Sequence, residues 1–365
     1  MDIKFIFLDN IDLENNKIIR RDINVTDAYE YISSILNYMM ETTSKREYIR
    51  KDASYTMDKI VEIMQNYLPI RNAALTSTNK TDIYSSNINK YFNKLTESIS
   101  YKLLQEQGEA KKKYINLKNG VQKGSLIQAL VENNNEIIYL SCLIEHALFV
   151  DENDLKYKKG LPTSDKATLK SCLVYHSDNG DINSIFLTDT RTKFTEYWYD
   201  GFLELKEKRS DSTNTESVFC SIRDGLKNGL RKYQSDCNTL TTSLKSYFLQ
   251  MESKQCSFES CLDYLFDGYK PNDSNVDLIE LRNKIEKTAK RKNDFDYIFN
   301  IDNSKIKKSL TNIKYDVTDN IEIKFKAPKE NLNDFIYSTK IEGDEKVLII
   351  RNIKDSIYNK FLNNK

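Results

Sequence analysis

The sequence predicts an α+β fold: an α/β N-terminal domain with an antiparallel sheet, a helical middle region and a small β-rich C-terminal domain. Three observations carry this expectation. Ser125–Glu132 and Glu136–Glu145 are near-continuous apolar runs of strand length, the pattern of strands covered on both faces. Ala28, Ile32, Ile35, Leu36 and Met39 recur at helical spacing. Beyond Glu196 the pattern becomes helical, and beyond Asp294 it turns β-like again. The expected domain limits are therefore residues 1–195, 196–294 and 295–365.

Ile3–Leu8 and Lys17–Ile23 are β-rich runs around an Asn/Asp-rich turn, which reads as a hairpin. The first helix follows, with Asp27 as the expected N-cap and Glu30 three residues on. A second helix is expected over Met57–Tyr67, stopping before Pro69. Thr76–Asn87 reads as a surface loop and Ile88–Glu106 as a third helix. Ala147–Val150 reads as a further short strand. Thr168–His176 and Asn183–Asp189 fit a strand pair around Ser177–Asp181, whose Asn179-Gly180 suits a tight hairpin turn. Helices are expected over Phe219–Leu230, Tyr233–Met251, Phe258–Phe266 and Asp277–Lys292. Strands are expected at Ile313–Val317, Ile321–Phe325, Phe335–Thr339 and Lys346–Ile350, with a short helix or tail over Ile353–Asn363.

The chain has 365 residues, enough for several domains with a sizeable core. Lys and Arg total 55 against 54 Asp and Glu, a net charge of +1. No global field therefore draws the protein onto nucleic acid or an anionic membrane, and any such binding must use local patches. No apolar run has the length of a membrane span, and Met1–Asn10 lacks the pattern of a secretory leader. Six cysteines lie far apart, which reads as reduced thiols in a cytoplasmic chain.

Motifs for chemistry are scarce. The sequence carries no nucleophile elbow, phosphate-binding glycine loop or zinc-protease helix. Each of the two histidines follows a cysteine by four residues: Cys142 with His146 and Cys172 with His176. Along a strand, Cys172 and His176 stand about 13 Å apart, too far to share a zinc ion. No metal and no cofactor are expected. Cys256 and Cys261 lack a second pair and read as core. Asp178, Asp181 and Asp189 with Lys193 superficially resemble a metal-dependent nuclease, but Asp178 and Asp181 are also ordinary turn residues.

Basic clusters are more informative. Lys284, Lys287, Lys290, Arg291 and Lys292 place five cations within nine residues, against Glu286 alone. Lys305, Lys307, Lys308 and Lys314 continue the run. Lys111, Lys112 and Lys113 are consecutive, with Lys118 and Lys123 beyond. Arg223, Lys227, Arg231 and Lys232 are helically spaced. Such faces suit phosphate contacts without base readout, although for any single cluster a solvated helix face is the first expectation. Tyr197, Trp198, Tyr199 and Phe202 cluster with Phe194 around the single tryptophan. They could stack on single-stranded bases, but core or dimer-interface packing is the expectation.

Gly160–Ile222, with YWYDGFLELKEK at Tyr197–Lys208, resembles the central signature of the 37-kDa bacterial nucleoid-associated protein family. Further likeness lies in Arg20-Arg21-Asp22 after the first hairpin, in Gly124–Asp154 and in Phe202–Asp211 (FLELKEKRSD). Val218–Gly225 and Val317–Phe325 add to it. Glu204 and Glu207 dilute the basic turn of that signature. The resemblance implies a cytoplasmic, nucleoid-associated homodimer that binds DNA without an enzymatic step. A different class is a protein-interaction or nucleic-acid-sensing subunit of a phage-defence or mobile-element system. A metal-dependent nuclease stands third.

Overall fold

Apolar residues on both sides of the same strands require a sheet enclosed between two layers, and the chain builds one. The computed structural model describes residues 1–76, 85–113, 124–134, 136–163, 169–190, 194–311, 313–318, 321–325 and 336–362. β1 (Asp2–Asp12) and β2 (Lys17–Arg21) form the first hairpin. α1 (Val25–Glu41), β3 (Lys45–Arg50), α2 (Tyr55–Thr76) and α3 (Ser85–Lys113) follow. Next come β4 (Gly124–Asn133), β5 (Glu136–Glu145), and an arm of β6 (Ala147–Val150) paired with β7 (Tyr157–Gly160). β8 (Leu169–His176), β9 (Ile182–Asp189), a π-helical turn at Tyr197–Phe202 and β10 (Leu205–Glu207) complete this unit.

Eight of these strands make one antiparallel sheet in the order β10-β3-β9-β8-β5-β4-β1-β2. Strand alternation sends Ile127, Ala129, Val131, Ile138 and Leu140 to the face covered by Ile32, Ile35, Leu36 and Met39 of α1. The intervening Leu126, Leu130, Tyr139 and Leu143 pack under α2 and α3, against Met57, Ile60, Ile99 and Leu103. Both faces are therefore dry, which is why β4 and β5 read as unbroken apolar runs. The second face also holds a polar chain. Arg20 clamps buried Asp9 at 2.8 and 2.6 Å, and Ser100 donates to the same carboxylate at 2.6 Å. Gln128 donates to Ser100 and accepts from Tyr139.

The helical unit comprises α4 (Asp211–Gly229), α5 (Gln234–Gln250), β11 (Gln255–Ser257), α6 (Phe258–Phe266), α7 (Leu278–Lys292), β12 (Ile298–Asn300) and α8 (Lys307–Thr311). α4 and α7 run antiparallel in close contact: a Cβ on Gly225 would lie 2.6 Å from Ile285, and one on Gly229 2.2 Å from Leu281. β13 (Ile313–Thr318) pairs with β14 (Ile321–Phe325), and β15 (Ile336–Lys340) with β16 (Lys346–Ile350). α9 (Asp355–Lys360) follows. The α+β class holds, with the large antiparallel sheet in the N-terminal part.

Several boundaries differ from expectation for identifiable reasons. Trp198, Phe202, Leu203 and Leu205 belong to the core under the sheet, so the first unit extends past residue 195. Phe295, Phe299, Ile301, Ile306 and Leu310 belong to the helical core, so that unit extends past residue 294. α1 is capped by Asn24, which accepts from the Thr26 N–H, rather than by Asp27. α2 continues through Pro69, where the prolyl ring and the carbonyl-bearing Gln65 are both exposed, so water can satisfy the freed carbonyl. β3 was hidden by its charged composition, and β11 and β12 by their three-residue length. The expected loop over Thr76–Asn87 lies mostly outside the described residues; Ser85–Asn87 begin α3.

One carboxylate joins the two units. Asp296, 4% exposed, accepts from the backbone N–H of Glu47 in β3 at 3.0 Å. It also accepts from Arg209 at 3.1 Å and from Asn214 of α4 at 3.0 Å. Asn214 accepts in return from the Asp296 N–H. Buried Arg46, beside it on β3, pairs with Glu207 and Asp211 at 3.1 Å each. Removing one member of a buried charge network strands the others. Asp296→Ala is expected to cost about 3–5 kcal/mol in urea unfolding. Asp294→Ala, two residues away and exposed, should stay within about 0.5 kcal/mol of wild type.

Candidate nucleic-acid interface

The lysine-rich helix end is α7. Asp277 caps its start by accepting from the Glu280 N–H, and Asn293 closes it in the left-handed conformation, φ 48°. Leu281, Ile285 and Ala289 form the buried stripe. At roughly 100° per residue, Lys284, Lys287, Lys290 and Arg291 share one arc on the outer side. Glu286 lies on the other flank, paired with Arg282 at 3.0 Å, and Arg282 also reaches Asp263 at 2.6 Å. Lys292 ends the helix. All five cations are exposed, and none forms an ion pair with a described residue. Three of them, in the last turn, also oppose the negative end of the helix dipole.

The antiparallel packing sets the C-terminal end of α7 beside the N-terminal end of α4. Lys305 reaches that same end, touching Thr213 at 2.8 Å and Glu216 at 3.8 Å. Lys307 and Lys308 are exposed on α8. Lys314 lies on β13 of the first C-terminal hairpin. Lys111, Lys112 and Lys113 sit elsewhere, in the last turn of α3 on the sheet unit. Lys113 pairs with Glu196 at 3.7 Å, while Lys111 and Lys112 line an open hollow with Asn16 and Glu109. Lys118 and Lys123 lie outside the described residues.

A third basic group involves a residue that spacing alone did not mark. Arg223 and Lys227 lie one turn apart on α4, and half-buried Lys245 of α5 approaches both. Burial first, and then the neighbouring Lys227 and Arg223 cations, push the Lys245 ammonium below its usual range. The signal exists only across two packed helices, so no single-helix pattern contains it.

The aromatic group is spent inside the chain. Trp198 and Phe202 are 1% and 0% exposed and stack at 5.0 Å within the core beneath the sheet. Tyr199 packs on Tyr48 at 5.4 Å, and Tyr197 leans on the same core. Trp198 and Phe202 therefore offer neither a stacking platform nor a face to a second copy. The reason is sequential: a π-helical turn directly before β10 points its large side chains under the sheet.

The cysteines and histidines do not converge. Cys142 packs on the α1 face of the sheet and Cys172 on the opposite face. His146 meets Ser125 at 2.9 Å, while His176 donates from Nδ1 to the Gly180 carbonyl at 3.1 Å. Among the described residues no group of three His, Cys, Asp or Glu is placed to hold a metal ion. Asp178 pairs with Arg71, and Asp181 accepts from Asn179. Asp189, at the far end of β9, is buried against Lys170. Eight strand residues put it about 26 Å from Asp181, so the acids do not form one site. Lys193 lies outside the described residues. No described helix is long and apolar enough to cross a membrane. No protein-family model matches the chain, and no curated protein matches it.

Burial pushes the His176 imidazole down to about 4, from an ordinary value of 6.5. The unfolded chain therefore binds more protons between those values, and stability falls as pH drops through the window. Wild type should lose about 2 kcal/mol between pH 7 and pH 5 that His176→Asn keeps. Urea midpoints at the two pH values measure the difference.

Proposed function

We propose that this protein binds DNA through its phosphates, using the basic outer arc of α7, and that it does so without a chemical step. The observation that carries the reading is the set Lys284, Lys287, Lys290, Arg291 and Lys292: five exposed cations unpaired with any described residue. A chain of net charge +1 has no long-range pull on a polyanion, so a local, unneutralised group is what phosphate contact requires. Lys305 extends the group at the adjoining end of α4, and Lys308 is exposed on the following α8. Lys307 lies beside them. Lys111 and Lys112 offer a separate patch on the sheet unit. The likeness of Gly160–Ile222 to the nucleoid-associated family supports the same reading, together with a nucleoid location in a cytoplasm and assembly as a homodimer. Phosphate-only contact predicts tolerance of DNA sequence.

A second reading has its own observation. The β6–β7 arm exposes Leu148, Val150, Leu155 and Tyr157, the last two at 77% and 78%. An apolar arm outside the sheet favours a protein partner, as a subunit of a defence or mobile-element system would need. The separation of Asp181 from Asp189 gives the nuclease reading no support.

Salt titration of duplex binding tests the leading reading. Five phosphate contacts give a log–log slope of about −4 to −5. Reversing Lys287, Lys290, Arg291 and Lys292 to Glu should abolish binding at low salt. Unchanged affinity in that variant would remove α7 from the interface, and no binding by the wild type at low salt would sink DNA binding altogether.

A further inference from the structure

The two cysteines flanking the start of α6 are not separate core residues. Cys256 lies in β11 and Cys261 in the second turn of α6, and both are buried, at 3% and 0% exposure. Their sulfurs stand 3.1 Å apart. That is about 1 Å beyond a bonded disulfide of about 2.05 Å. Polar groups converge on one sulfur of the two. The Tyr247 hydroxyl is 3.4 Å and the Ser260 hydroxyl 3.6 Å from Cys256 Sγ. Ser260 is itself fixed by the reciprocal cap with Ser257 that starts α6.

The asymmetry of the pair follows from these partners. Cys256 Sγ also lies 3.2 Å from the Ser257 carbonyl, to which its thiol can donate. The contacts with Cys261, and then Tyr247 and Ser260, lower the Cys256 thiol against the opposing effect of burial. Burial pushes the Cys261 thiol up. The two shifts run in opposite directions, so Cys256 ionises more readily than Cys261, the order of an attacking and a resolving cysteine.

We propose that Cys256 and Cys261 form a peroxide-sensitive dithiol that closes reversibly to an intramolecular disulfide. The Cys256 thiolate attacks the terminal oxygen of a hydroperoxide. An S–O bond forms, the O–O bond breaks, and the departing alkoxide or hydroxide takes up a proton. The Cys261 sulfur then attacks the sulfenic sulfur. The S–S bond forms as hydroxide leaves, and the Cys261 proton completes a water molecule. Two thiols and one hydroperoxide become one disulfide, one alcohol (or water) and one water. Cys256 is next to exposed Lys254 and half-buried Gln255, on a two-stranded ladder of three residues, so opening of that short ladder is the route by which a small oxidant would reach it. Tyr247 acts as a positioning residue, whose hydroxyl orients the attacking sulfur. Closure pins β11 to α6. β11 is paired with β12, which packs on β3 across the junction, so the disulfide would stiffen the helical unit where it meets the sheet.

The tryptic peptide Gln255–Arg282 contains both cysteines and no other. The full-length native chain is treated with hydrogen peroxide at pH 7, quenched with iodoacetamide and digested. The expected result is an unlabelled peptide, lighter by two hydrogen atoms, restored by dithiothreitol. Cys261→Ser should leave Cys256 as a sulfenic acid trapped by dimedone, and Cys256→Ser should leave Cys261 reduced. Tyr247→Phe, which keeps both cysteines, should slow closure and shift its pH profile upward. In the native chain the pair should oxidise roughly tenfold faster than partly exposed Cys220. Full labelling of both peptide cysteines at a peroxide dose that already oxidises Cys220 would overturn the proposal.

Discussion

The carboxylate of Asp296 is the constraint on which the assembly of this chain depends. It lies in the loop after α7, yet its acceptor oxygens serve a strand of the sheet, a connecting arginine and a helix of the second unit. A buried charge is costly unless every lone pair finds a donor, and here three donors from three segments meet it. The same cost fixes the neighbours: Arg46 and Glu47 are drawn into a buried strand because their partners are waiting across the junction. Two hydrophobic cores are thereby held in one orientation. Orientation is what polar burial supplies here, since apolar contact alone would let the units slide.

Asp9 performs the corresponding task inside the sheet unit. Arg20 from β2 and Ser100 from α3 converge on it, while Gln128 and Tyr139 continue the chain into β4 and β5. A covered sheet face could accept α3 in several registers if it were purely apolar. The hydrogen-bond chain admits one register. Arg20, part of the family-like Arg20-Arg21-Asp22 string, is thus committed to architecture. That string says nothing by itself about DNA.

How much of this was legible depended on the scale of each signal. Long runs with one period were readable: α5 and α7, and the doubly buried β4 and β5, emerge close to their expected limits. Elements whose stability comes from distant partners were not. KREYIR at β3 reads as a charged surface segment, and partners far along the chain, Glu207, Arg209, Asp211 and Asp296, make it a core strand. Pro69 reads as a stop because local chemistry disfavours it, but an exposed carbonyl can take water and the helix continues. The basic run of the candidate interface was fully visible, since it lies on one helix. The Lys245 group and the Cys256–Cys261 pair were not, because their geometry arises only when separate elements pack.

The cations of α7 have two physical roles that need not compete. In the last turn they oppose the helix dipole, a contribution of about 0.3–1 kcal/mol each at low salt, which any lysine-rich C-terminus would give. That role explains Lys290, Arg291 and Lys292 but not Lys284 and Lys287, one and two turns earlier. Nor does it explain why the local acid, Glu286, is engaged by Arg282 on the opposite flank. Glu280, in the first turn of α7, is the other acid of the helix, and none of the five cations is ion-paired with a described residue. Dipole compensation would be satisfied by the final turn alone. On the proposed reading, the extension of the positive arc along the helix matches an anion longer than a single ion, such as a phosphodiester backbone.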